Sequence, residues 1–215
     1  MSKINLLCIF LLFALFSSSA LAHVPYFEHL DYTEETPRII RKNVEQSKAF
    51  YSWLDKDNLD PNGDIDVFQF KVSNKKVRIY VEIIVPIVED YYENFLPWYA
   101  VVGPNLPEYN DPLPFEIPEG YGAIVMENTE PGEERKTFYE PFGGKSYYEG
   151  PVLDTNVTEP GNYYVYTWDP YESGGDYVLV FGKKEIFGFF DIIRALIYTP
   201  MIRLGMELHI DEGEA

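Results

Sequence analysis

The feature that most constrains this chain is a two-residue alternation carried in short, aromatic-rich runs. Along Val67–Val72, Val67, Gln69 and Lys71 share one face, and Phe68, Phe70 and Val72 share the other. Successive side chains of a strand point to opposite sides, so this is a strand with one face in a core. Lys76–Val88 is rich in β-branched residues and reads as a strand buried more deeply toward its end. Trp98–Val102, Tyr121–Glu127, Gly161–Trp168 and Asp176–Gly182 read as further strands, with Thr137–Tyr139 a short one. Residues 44–54 suit strand or helix, and the alternation of Ala49, Tyr51 and Trp53 with Lys48, Phe50 and Ser52 favours strand. Turn clusters at 55–66 and 169–175 separate these runs. The prolines at 97, 104, 107, 112, 114 and 118 make 103–120 a long loop or edge segment, and 128–150 is rich in Gly and Glu. Short strands with turn signals between them predict an all-β, antiparallel β-sandwich.

Composition narrows what such a sandwich does. The 215 residues include 18 Tyr and 15 Phe, far too many burying groups for a disordered acidic tail. The formal net charge of −18 argues against nucleic acid, which needs a basic footprint, and against electrostatic docking to anionic lipid. Residues 1–22 read as a secretory leader: Lys3, then the apolar run Leu6–Phe16, then Ala20-Leu21-Ala22 as a cleavage site after Ala22. That predicts a secreted, periplasmic or cell-surface protein. The leader holds one Lys, no acid and the single Cys, so its removal takes the charge to −19 and leaves no thiol. The expected organisation is leader 1–22, N-terminal arm 23–43, β-sandwich 44–184, and a C-terminal helix with acidic tail over 185–215.

The tail departs from the strand pattern. Phe189, Ile192, Ile193, Leu196 and Ile197 follow helical spacing, and Pro200 breaks or kinks it. Asp191, Arg194 and Arg203 argue against a transmembrane span. Residues 186–210 therefore form a helix packed on the sandwich, or one that contacts a partner or a membrane surface.

Three motifs carry a resemblance. Asp64-Ile65-Asp66-Val67-Phe68-Gln69-Phe70, Gly161-Asn162-Tyr163-Tyr164-Val165 and Gly175-Asp176-Tyr177-Val178-Leu179 occur in this order over about residues 44–182. In this the chain resembles the bacterial pre-peptidase C-terminal domain, a secreted jelly-roll-like β-sandwich. The resemblance implies an adhesion, folding-support or ligand-binding module, sometimes with calcium near the Asp turn. The chain has no room for a separate protease domain, so no protease activity is implied.

Two metal sites follow from residue type. Asp55, Asp57, Asp60, Asn62, Asp64 and Asp66 crowd one turn around Gly63, and hard oxygen ligands at this spacing suit Ca²⁺; an ordinary solvated turn would use the same residues. Asp60, Asn62, Asp64 and Asp66 are the calcium candidates. His23 becomes the N-terminus on cleavage, and its amine and imidazole would suit Cu(II) if His29 or His209 joined them. The Tyr pairs at 91–92, 147–148 and 163–164 suggest either a sugar-binding platform or plain strand packing. Gly143-Gly144-Lys145-Ser146 lacks the spacing of a phosphate loop, and no Gly-x-Ser-x-Gly elbow occurs. The expectation is thus a non-enzymatic exported module that binds a protein, glycan or cell surface, with an exported metal-binding protein as the alternative.

Overall fold

A computed structural model describes residues 23–41, 43–56, 63–73, 76–88 and 91–210. The leader and the acidic end at 211–215 lie outside the described residues. Among the described residues, eleven strands form two sheets, and one helix follows them. The strands are β1 (Val24–Phe27), β2 (Arg38–Ile40), β3 (Lys48–Leu54), β4 (Ile65–Val72), β5 (Val77–Pro86), β6 (Trp98–Pro104), β7 (Tyr121–Met126), β8 (Thr137–Glu140), β9 (Lys145–Val157), β10 (Gly161–Trp168) and β11 (Gly175–Phe181). The helix α1 spans Phe189–Arg203. One sheet has the order β1-β3-β11-β5-β9-β8 and the other β2-β4-β10-β6-β7. The chain is therefore an all-β sandwich with a helical C-terminal segment.

The alternation sets the core. Phe68 and Phe70 of β4, Tyr163 and Val165 of β10, Leu179 and Phe181 of β11, and Ile79 to Val85 at alternate positions of β5 meet between the sheets. Central strands are buried on both faces, because each outer face is also covered. On the five-stranded sheet the proline-rich loop 105–120 lies over Val67, Ala100, Val102, Tyr166 and Trp168. Its Phe115 ring stacks on Tyr166 with centroids 4.0 Å apart. The six-stranded sheet carries a second outer cluster of Ala49, Tyr80, Ile84, Tyr147, Val178 and Val180. Cover on both sides explains why β6 and β11 read as nearly continuous apolar runs.

Two elements differ from the sequence reading. The N-terminal arm is part of the sandwich: β1 pairs in parallel with β3 at the edge of one sheet, and β2 pairs in parallel with β4 at the edge of the other. The segment between them crosses from sheet to sheet and buries Tyr32 in the core. Residues 145–157, half of them within the Gly- and Glu-rich stretch, form the longest strand, β9, paired with β5. The pairing skips at Gly150-Pro151, opposite Ile83. A Cβ on Gly150 would sit 2.5 Å from the Ile83 carbonyl oxygen, so only glycine admits this bulge.

Helix α1 packs on β1, with Tyr198 stacked on Phe27 at 4.5 Å. Its N-terminus is closed by the buried Asp191 carboxylate, which accepts from the Gly188 N–H at 2.9 Å and the Gln46 amide at 2.9 Å. Pro200 sits in the last turns without ending the helix, which continues to Arg203.

Candidate functional site

One layer of the inter-sheet core is polar. Alternation places Asp66 on the inward face of β4, in line with Phe68, Phe70 and Val72. Thr167 of β10 is its register partner; across the gap, Ser52 of β3 and Tyr177 of β11 are register partners of each other. The Tyr177 hydroxyl donates to Asp66 Oδ2 and so ties the two sheets together. The chain leaving β1 closes this layer. Glu28 N–H donates to the Tyr51 carbonyl at 2.9 Å, and Val67 N–H donates to the Tyr32 carbonyl at 2.5 Å, which brings Asp31 alongside. Ligand oxygens of Glu28, Asp31 and Asp66 all lie within 4.8 Å of one another.

The electrostatics of this group are strained. Glu28 and Asp66 are buried, while Asp31 is exposed. No well-formed hydrogen bond reaches either carboxylate oxygen of Glu28, although Ser52 and the Trp53 backbone stand near enough to offset part of the cost, and Asp66 Oδ1 has no partner. Burial pushes both carboxyl groups well above the usual carboxylate range. For Glu28 the neighbouring Asp66 adds to the rise; for Asp66 the Tyr177 hydroxyl pulls back, while Asp64 and Asp31 push further. Unpartnered buried carboxyl oxygens are costly and call for a proton or a cation. Three oxygens this close fit the 2.3–2.6 Å ligand distances of Ca²⁺.

The calcium candidates of the Asp turn separate. Asp60 and Asn62 lie outside the described residues. Asp64 Oδ2 accepts from the Asp55 N–H at 2.6 Å, as a turn-closing side chain does. Asp66 points the other way, into the core, and joins Glu28 and Asp31. Those two residues went unnoticed in the sequence because nothing local marks them; parallel pairing of the arm brings them in.

The histidines are held apart. Burial lowers the His23 imidazole to about 4, and its Nδ1 meets the Ser47 hydroxyl at 2.5 Å, at the start of β3. His209 stacks on Trp53 near the far end of β3 with centroids 3.9 Å apart, six residues or about 20 Å along the strand. His209 Nδ1 lies 2.7 Å from the buried Asp176 carboxylate, which also accepts from Tyr92. His29 is exposed beyond β1. The Tyr pairs divide between core and surface: Tyr92, Tyr147 and Tyr163 are buried, as strand packing requires.

The tail supplies a second surface feature. Phe189, Phe190, Ile192, Ile193, Leu196 and Ile197 are exposed, Phe190 by 75%. The two charges within that stretch turn toward the protein: Asp191 is buried, and the Arg194 guanidinium lies 4.2 Å from the centre of the Tyr26 ring. Leu204 and Met206 extend the apolar surface past the helix end. No helix among the described residues is long and apolar enough to cross a membrane. No protein-family model matches the chain, and no curated protein matches it either.

Proposed function

We propose that the protein is a non-enzymatic, exported β-sandwich module that attaches to a membrane surface through the apolar face of α1. The observation that carries this reading is the inverted polarity of the helix over Phe189–Ile197: its two charges there, Asp191 and Arg194, face the sandwich, while Phe189, Phe190, Ile192, Ile193, Leu196 and Ile197 are exposed. An apolar patch of this kind marks a contact surface, and a Phe- and Leu-rich helix face suits the headgroup–acyl boundary. The net charge of −19 without the leader steers the preference to uncharged bilayers. The leader-like first 22 residues and the resemblance to secreted pre-peptidase C-terminal domains support export and a binding role.

Flotation with phosphatidylcholine vesicles tests the proposal. The protein beginning at His23 is expected to float with the vesicles. A Phe189→Asp/Leu196→Asp variant is expected to stay in the dense fraction with an unchanged melting temperature, since both side chains are exposed. Failure of the parent protein to float, or equal flotation of the variant, rejects the reading.

A second reading concerns the core. We infer that Glu28, Asp31 and Asp66 hold a calcium ion that stabilises the sandwich. It rests on the unpartnered oxygens of two buried carboxyl groups.

A further inference from the structure

A cleft of about 1000 Å³ lies between the sheet-to-sheet crossover after β1 and the first turns of α1. Three arginines line it: the exposed Arg41, and a pair brought in by two different elements, Arg38 of β2 and Arg194 of α1. Both hold their guanidinium groups to the same ring: the Arg38 carbon is 5.3 Å from the Tyr26 centroid, and that of Arg194 is 4.2 Å away. The two carbons therefore lie within about 10 Å of each other, each in cation–π range of one ring.

Neither arginine forms an ion pair among the described residues; the pairs there involve Arg78, Lys145, Lys183, Lys184 and His209. Arg38 Nε is buried with no acceptor. In a chain with 35 acidic side chains, a guanidinium that reaches a carboxylate is easily neutralised. The acids that do line the cleft are engaged elsewhere. Asp191 accepts from the Gly188 N–H and the Gln46 amide, and Asp31 stands with Glu28 and Asp66. The Lys48 ammonium of the same wall donates to the Asn43 and Gln46 carbonyls. What remains for a ligand is a pair of planar five-donor forks, preset by an aromatic ring, which is the geometry that takes a carboxylate or phosphate bidentately. Around them Leu30, Ile39 and Phe190 offer exposed apolar surface to the same space.

We propose that this cleft is a binding site for a free single-chain amphiphile with an anionic head. The phosphate or carboxylate sits between Arg38 and Arg194, and the chain lies along Leu30, Ile39 and Phe190. The site shares Phe190 with the outer helix face but differs from membrane attachment in that its ligand is taken from solution and its arginines face the protein.

Isothermal titration with octyl phosphate below its micellar concentration tests it, with inorganic phosphate and octanol as controls. Octyl phosphate is expected to bind saturably and at least 10-fold more tightly than either control. Arg38→Met and Arg194→Met are each expected to weaken it by at least 10-fold. Arg194→Lys, which keeps the charge but loses the fork, should fall between Arg194→Met and the parent. Lack of saturable binding up to roughly 1 mM overturns the site. So does equal affinity for inorganic phosphate or octanol, or unchanged binding by an Arg38→Met/Arg194→Met protein whose melting temperature matches the parent. Because no vesicle is present, failure here leaves the flotation result untouched, and the reverse holds as well.

Discussion

Asp66 stands where the alternation of β4 asks for an apolar side chain, and it is fully buried there. The motif around it is plain in the sequence, but its partners are not: Glu28 and Asp31 lie more than thirty residues upstream in a segment without periodicity. Local pattern reports which way a side chain faces, not which distant segment closes over it. The buried carboxyl groups make the cation reading testable. At neutral pH, calcium is expected to raise the melting temperature by several degrees, corresponding to about 2–3 kcal/mol near 100-fold excess over Kd, and EDTA should reverse it. Asp66→Asn removes one ligand charge while keeping the shape, so its melting temperature should not respond to calcium. A parent protein indifferent to both calcium and EDTA would show that protons alone settle the site, and the reading fails.

At the scale of elements, strands with clean alternation were legible, and those that depend on a neighbour were not. β4 and β10 lie close to where their patterns put them. β9 was missed in large part because Gly150-Pro151 interrupts it, and both residues ordinarily argue against a strand. They are tolerated because the β5 backbone approaches too closely for any side chain at 150. The prolines predict a long loop or edge segment over 103–120; residues 103–104 end β6, and the role of 105–120 as a lid on the five-stranded sheet depends on Phe115, Leu113 and Ile117 finding Tyr166 and Trp168. Phe115→Ala should cost about 2 kcal/mol and open the loop to limited proteolysis before global unfolding. Unchanged cleavage kinetics together with an unchanged melting temperature would show that the loop is held by other contacts.

For the whole molecule, the decisive feature is the N-terminal crossover, which adds one edge strand to each sheet and closes the open side of the sandwich. Its first described residue is anchored: His23 is half-buried against Ser47, and the desolvation lowers its imidazole to about 4. A histidine depressed below its ordinary 6.5 contributes stability above that value and loses it as pH falls toward 4. Between those values the parent should lose up to about 3 kcal/mol more than His23→Gln, read from urea unfolding at each pH. Parallel pH profiles would show that this end is not seated in the core. The sequence by itself determined the fold class, most strand positions, the helical tail and the acidic character. These depend on local periodicity and composition, which any segment carries alone. Only the tertiary structure decided that Glu28 and Asp31 join Asp66, that α1 turns Asp191 and Arg194 inward, and that Arg38 and Arg194 share one cleft. Those are meetings of segments far apart in the chain, set by parallel edge pairing and by what each sheet face needs covered, and no single segment encodes them.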